Sequence, residues 1–236
     1  MNSNCRYIIL FVTSWLILLN SSFAQQTEFQ NNYKSECAFT KELFFKNKEK
    51  IDKAAISCGT NSAFLYSIVA PEVTQFSYLS NKVENYSLKV FYVQGGKDYA
   101  NFSIGHFQMK PSFIEDLEQE INNSNTLKSK LKFCLLENPT ERAARVTRIE
   151  RLETFEWQLW YLSAFYQVLE HKFKKQKFES TYEKLKLYAT AYNSGFNKPI
   201  DQLKRLQTKT YFPHFSDKKY NYADLSCWFL EELTSS

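Results

Sequence analysis

The sequence predicts a mainly α fold, and three observations carry that expectation. Apolar residues recur at three- and four-residue steps through most of the chain, the spacing of a helix face. No long alternating run competes, although residues 95–107 leave room for a small hairpin. Only 5 glycines occur in 236 residues, and neither GxGxxG nor GxxxxGK[ST] is present, which excludes a Gly-rich nucleotide fold. Hydrophobic residues make up 44% of the chain, enough for one sizeable core and too many for global disorder. Mean hydropathy of −0.45 excludes a polytopic membrane protein. Lys plus Arg is 30 against 25 Asp plus Glu, and the excess is spread along the chain. A dedicated nucleic-acid binder would concentrate it.

Taken in order, Arg6 precedes the apolar run Tyr7–Leu19, and Ser22-Phe23-Ala24 supplies small residues before a cut at Gln25. This reads as a secretory signal peptide over 1–24. The apolar run is shorter than the ~20 residues needed to span a bilayer, so no membrane span is expected after cleavage. Residues 25–236 then form a single domain. Residues 38–54 read as a helix with Leu43, Phe44 and Ile51 on one side, and 61–70 as a second helix presenting Phe64, Leu65, Ile68 and Val69. Pro71 ends or kinks that second helix. Residues 82–94 form a further helix closed by Gly95-Gly96, and Pro111 opens the next, since proline suits a first helical turn.

The strongest helix signal is 139–173. Asn138-Pro139-Thr140-Glu141 reads as a cap followed by proline at the first position and glutamate at the third. Apolar residues follow almost all round, so this helix is expected to be the buried spine. A helix at 181–193 ends at Gly195 as its cap. Leader removal would leave Cys37, Cys58, Cys134 and Cys227, an even number that predicts two disulfides in an exported chain. His106, His171 and His214 are scattered and no CxxC occurs, so no metal site is expected. The triplets at Asn85 and Asn101 fit the N-glycosylation pattern, which is common by chance in an Asn-rich chain.

Three segments stand out for chemistry. Glu72 follows Pro71 at the apolar end of a core helix, where desolvation raises a carboxyl pKa and suits a general acid. Phe102-Ser103-Ile104-Gly105-His106-Phe107-Gln108-Met109-Lys110-Pro111-Ser112 places a rare glycine before an embedded Gln and a Pro-started helix. Ala191-Tyr192-Asn193-Ser194-Gly195 closes a helix beside another rare glycine. Read singly, Glu72 could be a surface residue, Gly105 a turn, Tyr192 packing and Gly195 a cap.

In this order the three segments resemble the catalytic domain of lytic transglycosylases and related muramidases, the lysozyme-like group that includes goose-type lysozyme. There a helix ends at the catalytic Glu, and a Gly-x-x-Gln-[Met/Leu/Ile]-x-Pro segment and an Ala-x-Tyr-Asn-x-Gly segment follow. The resemblance rests directly on about 64–76, 102–113 and 187–197, within core motifs 61–113 and 181–197. Val73 departs from the Ser usual after the catalytic Glu.

The resemblance implies a lysozyme-like single domain that cleaves the bond between N-acetylmuramic acid and N-acetylglucosamine in peptidoglycan. It implies Glu72 as the catalytic group, with Gln108 and Tyr192 binding the acetamido group or supporting Glu72. Asn193, and less directly Ser103, would line the cleft. No metal or organic cofactor is implied, glycan strands are the partner, and the place is the bacterial periplasm or exterior. Two other readings compete: an inactive lysozyme-like glycan-binding or scaffold protein, and an unrelated helical secreted interaction protein. A shared cleft for Glu72, Gln108 and Tyr192 separates the last from the others. A hydrolase would need a second carboxylate, and between Glu72 and the Gln108 segment only Glu84 and Asp98 are available.

Overall fold

The computed structural model describes residues 25–79, 86–137, 140–213 and 216–235, and these are mainly α-helical with one small antiparallel hairpin. The expected leader, Asn85, Pro139 and His214 lie outside the described residues. After a helical stretch over 25–32 come α1 (Lys34–Lys46), α2 (Lys48–Cys58), α3 (Ser62–Ser67) and α4 (Ala70–Leu79). Then follow α5 (Tyr86–Gly95), α6 (Pro111–Asn122), α7 (Asn125–Leu131) and α8 (Glu141–Leu152). The chain closes with α9 (Phe155–Lys172), α10 (Thr181–Ser194), α11 (Ile200–Leu206), β1 (Thr210–Phe212), β2 (Tyr220–Asn221) and α12 (Tyr222–Thr234).

The mainly α class and the presence of a small hairpin agree with the sequence reading, but the ladder joins β1 to β2 rather than lying at 95–107. Near that range there is instead a single bridge between Ile104 and Met109. Pro111 does open α6, and Gly195 caps α10 with φ +95.

Three expected helices divide. The 38–54 helix is interrupted at Asn47, whose Nδ2 donates to the Leu43 carbonyl at 2.9 Å, so the side chain competes with the helix ladder. The 61–70 helix stops at Ser67, and Pro71 sits in the first turn of α4, where its missing N–H costs nothing. At that break the Tyr222 hydroxyl donates to the Ile68 carbonyl at 3.0 Å. Glu72 therefore begins one helix rather than ending another.

The expected spine over 139–173 is two helices. Thr140 caps α8, accepting from the Ala143 N–H at 3.3 Å, and Thr154 caps α9, accepting from the Trp157 N–H at 3.4 Å. A threonine with its own helix to cap stops the helix before it. α9 is still the buried centre: Leu159, Tyr161, Leu162, Ala164, Phe165, Val168 and Leu169 are all at most 2% exposed. It packs on α2, α6, α7 and α8, while α10 packs on α12 and α4 on α1 and α12. The largest fully buried side chains are all Tyr or Phe, so most of the aromatic surplus is core. No helix among the described residues is long and apolar enough to cross a membrane.

The two expected disulfides are absent. Cys37, Cys58, Cys134 and Cys227 are free, and burial pushes each thiol up to about 12. An even count permits bridges without bringing any two sulfurs together.

Candidate active site

Glu72 lies in the first turn of α4 and is 8% exposed. Burial pushes its carboxyl up to about 7, against the opposing pull of the Asn193 amide and the charge on Lys110. Asn193, in the last turn of α10, donates from Nδ2 to Glu72 Oε1 at 3.2 Å. That bond stabilises the carboxylate, while desolvation favours the acid, so both forms are accessible near neutral pH.

The second segment is a tight turn. Ile104 and Met109 exchange both backbone hydrogen bonds, at 2.9 and 3.2 Å. Gly105 turns the chain at φ +69, and Gln108 itself stands at φ +50, a region open to few side chains. A Cβ on Gly105 would lie 1.6 Å from Gln158 Nε2, so glycine is required there on two counts.

Gln158 explains the close approach. It is fully buried within the apolar α9. Its Oε1 accepts from the Phe107 N–H at 2.8 Å, and its Nε2 donates to the Leu152 carbonyl at 2.6 Å. The Tyr192 hydroxyl donates to the Phe107 carbonyl at 2.7 Å. Side chains from α9 and α10 thus hold both backbone groups of Phe107. This is the physical link between the second and third segments. The Tyr192 ring also packs on Phe113 of α6 and Phe165 of α9, with centroids 5.3 and 5.5 Å away.

The result is one cleft of about 310 Å³ that contains all five expected site residues: Glu72, Ser103, Gln108, Tyr192 and Asn193. No family model, curated protein or solved structure matches this chain. The argument for the site therefore rests on its own geometry.

That geometry refines several expectations. The Tyr192 hydroxyl hydrogen is committed to Phe107, so this residue braces the turn. One Gln108 N–H is spent on the Gly105 carbonyl at 2.9 Å, which sets the orientation of its side chain. His106 is held among the rings of Phe39, Phe76 and Phe155, where burial lowers its pKa. Val73 is fully buried. Asp98 lies in a separate cavity with Arg145 and Arg148, and Glu84 is outside the described residues.

Sequence reasoning missed several polar residues of the cleft, among them Gln75, Lys110 and Asp116. Gln75 follows Glu72 by three positions, which on a helix means the same face, and that spacing could have found it. Asp116 stands on α6 beyond the Gln108 segment, and burial raises its carboxyl above the ordinary range. Gln158 was also missed, although a lone Gln in an apolar stretch is a signal. Among the described residues, no group of three or more His, Cys, Asp or Glu side chains could hold a metal ion.

Proposed function

We propose that the chain is an exported bacterial enzyme that cleaves peptidoglycan glycan strands by a lytic route, with Glu72 as its catalytic group. The observation that carries this reading is the buried Glu72 carboxyl, with a pKa of about 7, in one cleft with Gln108, Tyr192 and Asn193. A neutral acid at working pH can deliver a proton, and its conjugate base can take one back.

The steps balance on that single carboxyl. Protonated Glu72 gives its hydrogen to the oxygen linking N-acetylmuramic acid to N-acetylglucosamine, and the C1–O bond breaks. The charge left on the ring is oxocarbenium-like, and the neighbouring N-acetyl carbonyl stabilises it. Glu72, now a carboxylate held by the Asn193 N–H, takes the proton from the muramoyl 6-hydroxyl. That oxygen closes on C1, which gives a 1,6-anhydro ring and restores the acid without consuming water. Purified peptidoglycan digested by the protein should yield 1,6-anhydromuramoyl ends when weighed by mass spectrometry. Reducing muramic acid ends as the main product would refute the lytic route.

Val73, where the resemblance expects Ser, favours a second reading as an inactive glycan-binding or scaffold domain. In that case strands bind and no fragment is released.

A further inference from the structure

Buried polar atoms in folded proteins almost always have a partner, and each exception calls for a reason. Among the described residues, two buried side-chain atoms have none: Gln75 Oε1 and Asn193 Oδ1. Both residues line the Glu72 cleft, and both atoms are hydrogen-bond acceptors. Asn193 turns its amide nitrogen to Glu72, which leaves the oxygen unmet. A third acceptor, the Asp116 carboxylate, lines the same cleft from α6. The nearby Lys97 pairs with Glu115 at 3.7 Å, and among the described residues Asp116 is in no ion pair.

Two unmet acceptors, from α4 and α10, and the half-buried Asp116 carboxyl from α6 therefore line one space. A purely apolar ligand would leave them unmet. A ligand rich in O–H and N–H groups would satisfy them. We propose that Gln75 and Asp116 are specificity-determining residues that accept hydrogen bonds from the hydroxyl and acetamido N–H groups of the hexosamine rings bound beside Glu72. This rests on the glycan-cleaving reading above and adds the residues that recognise the sugar. Gln75 is the sharper case, because its oxygen has no partner within the protein, so removing it breaks no hydrogen bond of the free protein. A structural glutamine would behave in the opposite way.

The test uses Glu72→Gln as the parent, so that the glycan is bound without being cut. Its binding to soluble, un-cross-linked peptidoglycan strands is measured by titration calorimetry. Gln75→Met keeps the length of the side chain and removes the acceptor; it should weaken binding by about 10-fold or more. Its Tm should be unchanged or higher by ~2–4 °C, since an unmet buried acceptor is gone. Gln75→Glu, which retains an acceptor, should bind within about threefold of the parent, and Asp116→Ala should lose affinity as Gln75→Met does. In the Glu72 enzyme the Gln75→Met change should raise KM for the same strands. Unchanged affinity and KM in Gln75→Met, or weaker binding with a lowered Tm, would overturn the inference while leaving the glycan reading standing. A parent that binds no strands, together with a Glu72 enzyme that releases no fragments, would overturn the glycan reading itself, and the inference with it.

Discussion

Gly105→Ala is expected to be among the most costly single-methyl additions in this protein. The backbone at φ +69 is left-handed, which costs a residue with a Cβ about 1–2 kcal/mol. The larger part is packing. The new methyl would fall 1.6 Å from Gln158 Nε2 and 2.9 Å from Oε1. Gln158 is fully buried and bonded at both ends, so it cannot swing aside freely. If it is displaced, the Phe107 N–H and the Leu152 carbonyl each lose a partner, at about 1–3 kcal/mol apiece. The total is about 3–8 kcal/mol, against a typical domain stability of about 5–15 kcal/mol. Gly59 supplies the control. Its φ of +81 is also left-handed, but nothing lies within 4 Å of an added Cβ, so Gly59→Ala should cost only the backbone part. Urea unfolding followed by tryptophan fluorescence measures both. If the two substitutions cost the same within about 0.5 kcal/mol, the claim that Gln158 holds the turn is wrong.

Further outcomes follow from the same contacts. Tyr192→Phe leaves the Phe107 carbonyl without its donor and should cost about 1–3 kcal/mol in urea unfolding; a neutral result would remove Tyr192 as a brace. The kcat/KM profile should fall above a pKa near 7, where Glu72 loses its proton. Asn193→Ala should move that limb upward, because the lost hydrogen bond favoured the carboxylate; an unmoved limb would assign it to another group. Glu72 holds its proton more tightly folded than unfolded, from 4.5 to about 7, so its favourable contribution is complete below pH 4.5. It is lost as pH rises to about 7, a decline of about 3 kcal/mol. Glu72→Gln should therefore be the more stable protein at pH 8, and a less stable variant would contradict the burial argument. Alkylation of the native protein should leave Cys37, Cys134 and Cys227 unmodified, and all three should react after unfolding; bridged cysteines would not react in either state.

What was legible in the sequence depended on how local the cause was. Pro111 at the start of α6 and Gly195 at the end of α10 are local stereochemistry, and both stand where expected. The split of the 139–173 stretch was concealed because Leu152 and Phe155 keep a three-residue step across it. The hydrophobic period ran on while Thr154 started a new helix. Pro71 was read as a stop when it was a start, since proline satisfies either role and only the Tyr222 contact to Ile68 shows which. In the site, rare glycines beside polar residues marked the segments that meet. Gln75 was within reach of its spacing from Glu72, but Asp116 was missed because its place in the cleft depends on how α4 and α6 come together, which no single window contains.

The central claim, that Glu72 does the chemistry, is tested most directly by weighing the muropeptides released from purified peptidoglycan by the natural protein and by Glu72→Gln. The amide keeps the volume and can still meet Asn193, but it has no proton to deliver. The account predicts soluble 1,6-anhydro fragments from the natural protein and a rate lower by ~10²–10⁴-fold or more from the variant, which remains folded. Release at the natural rate by folded Glu72→Gln would contradict it.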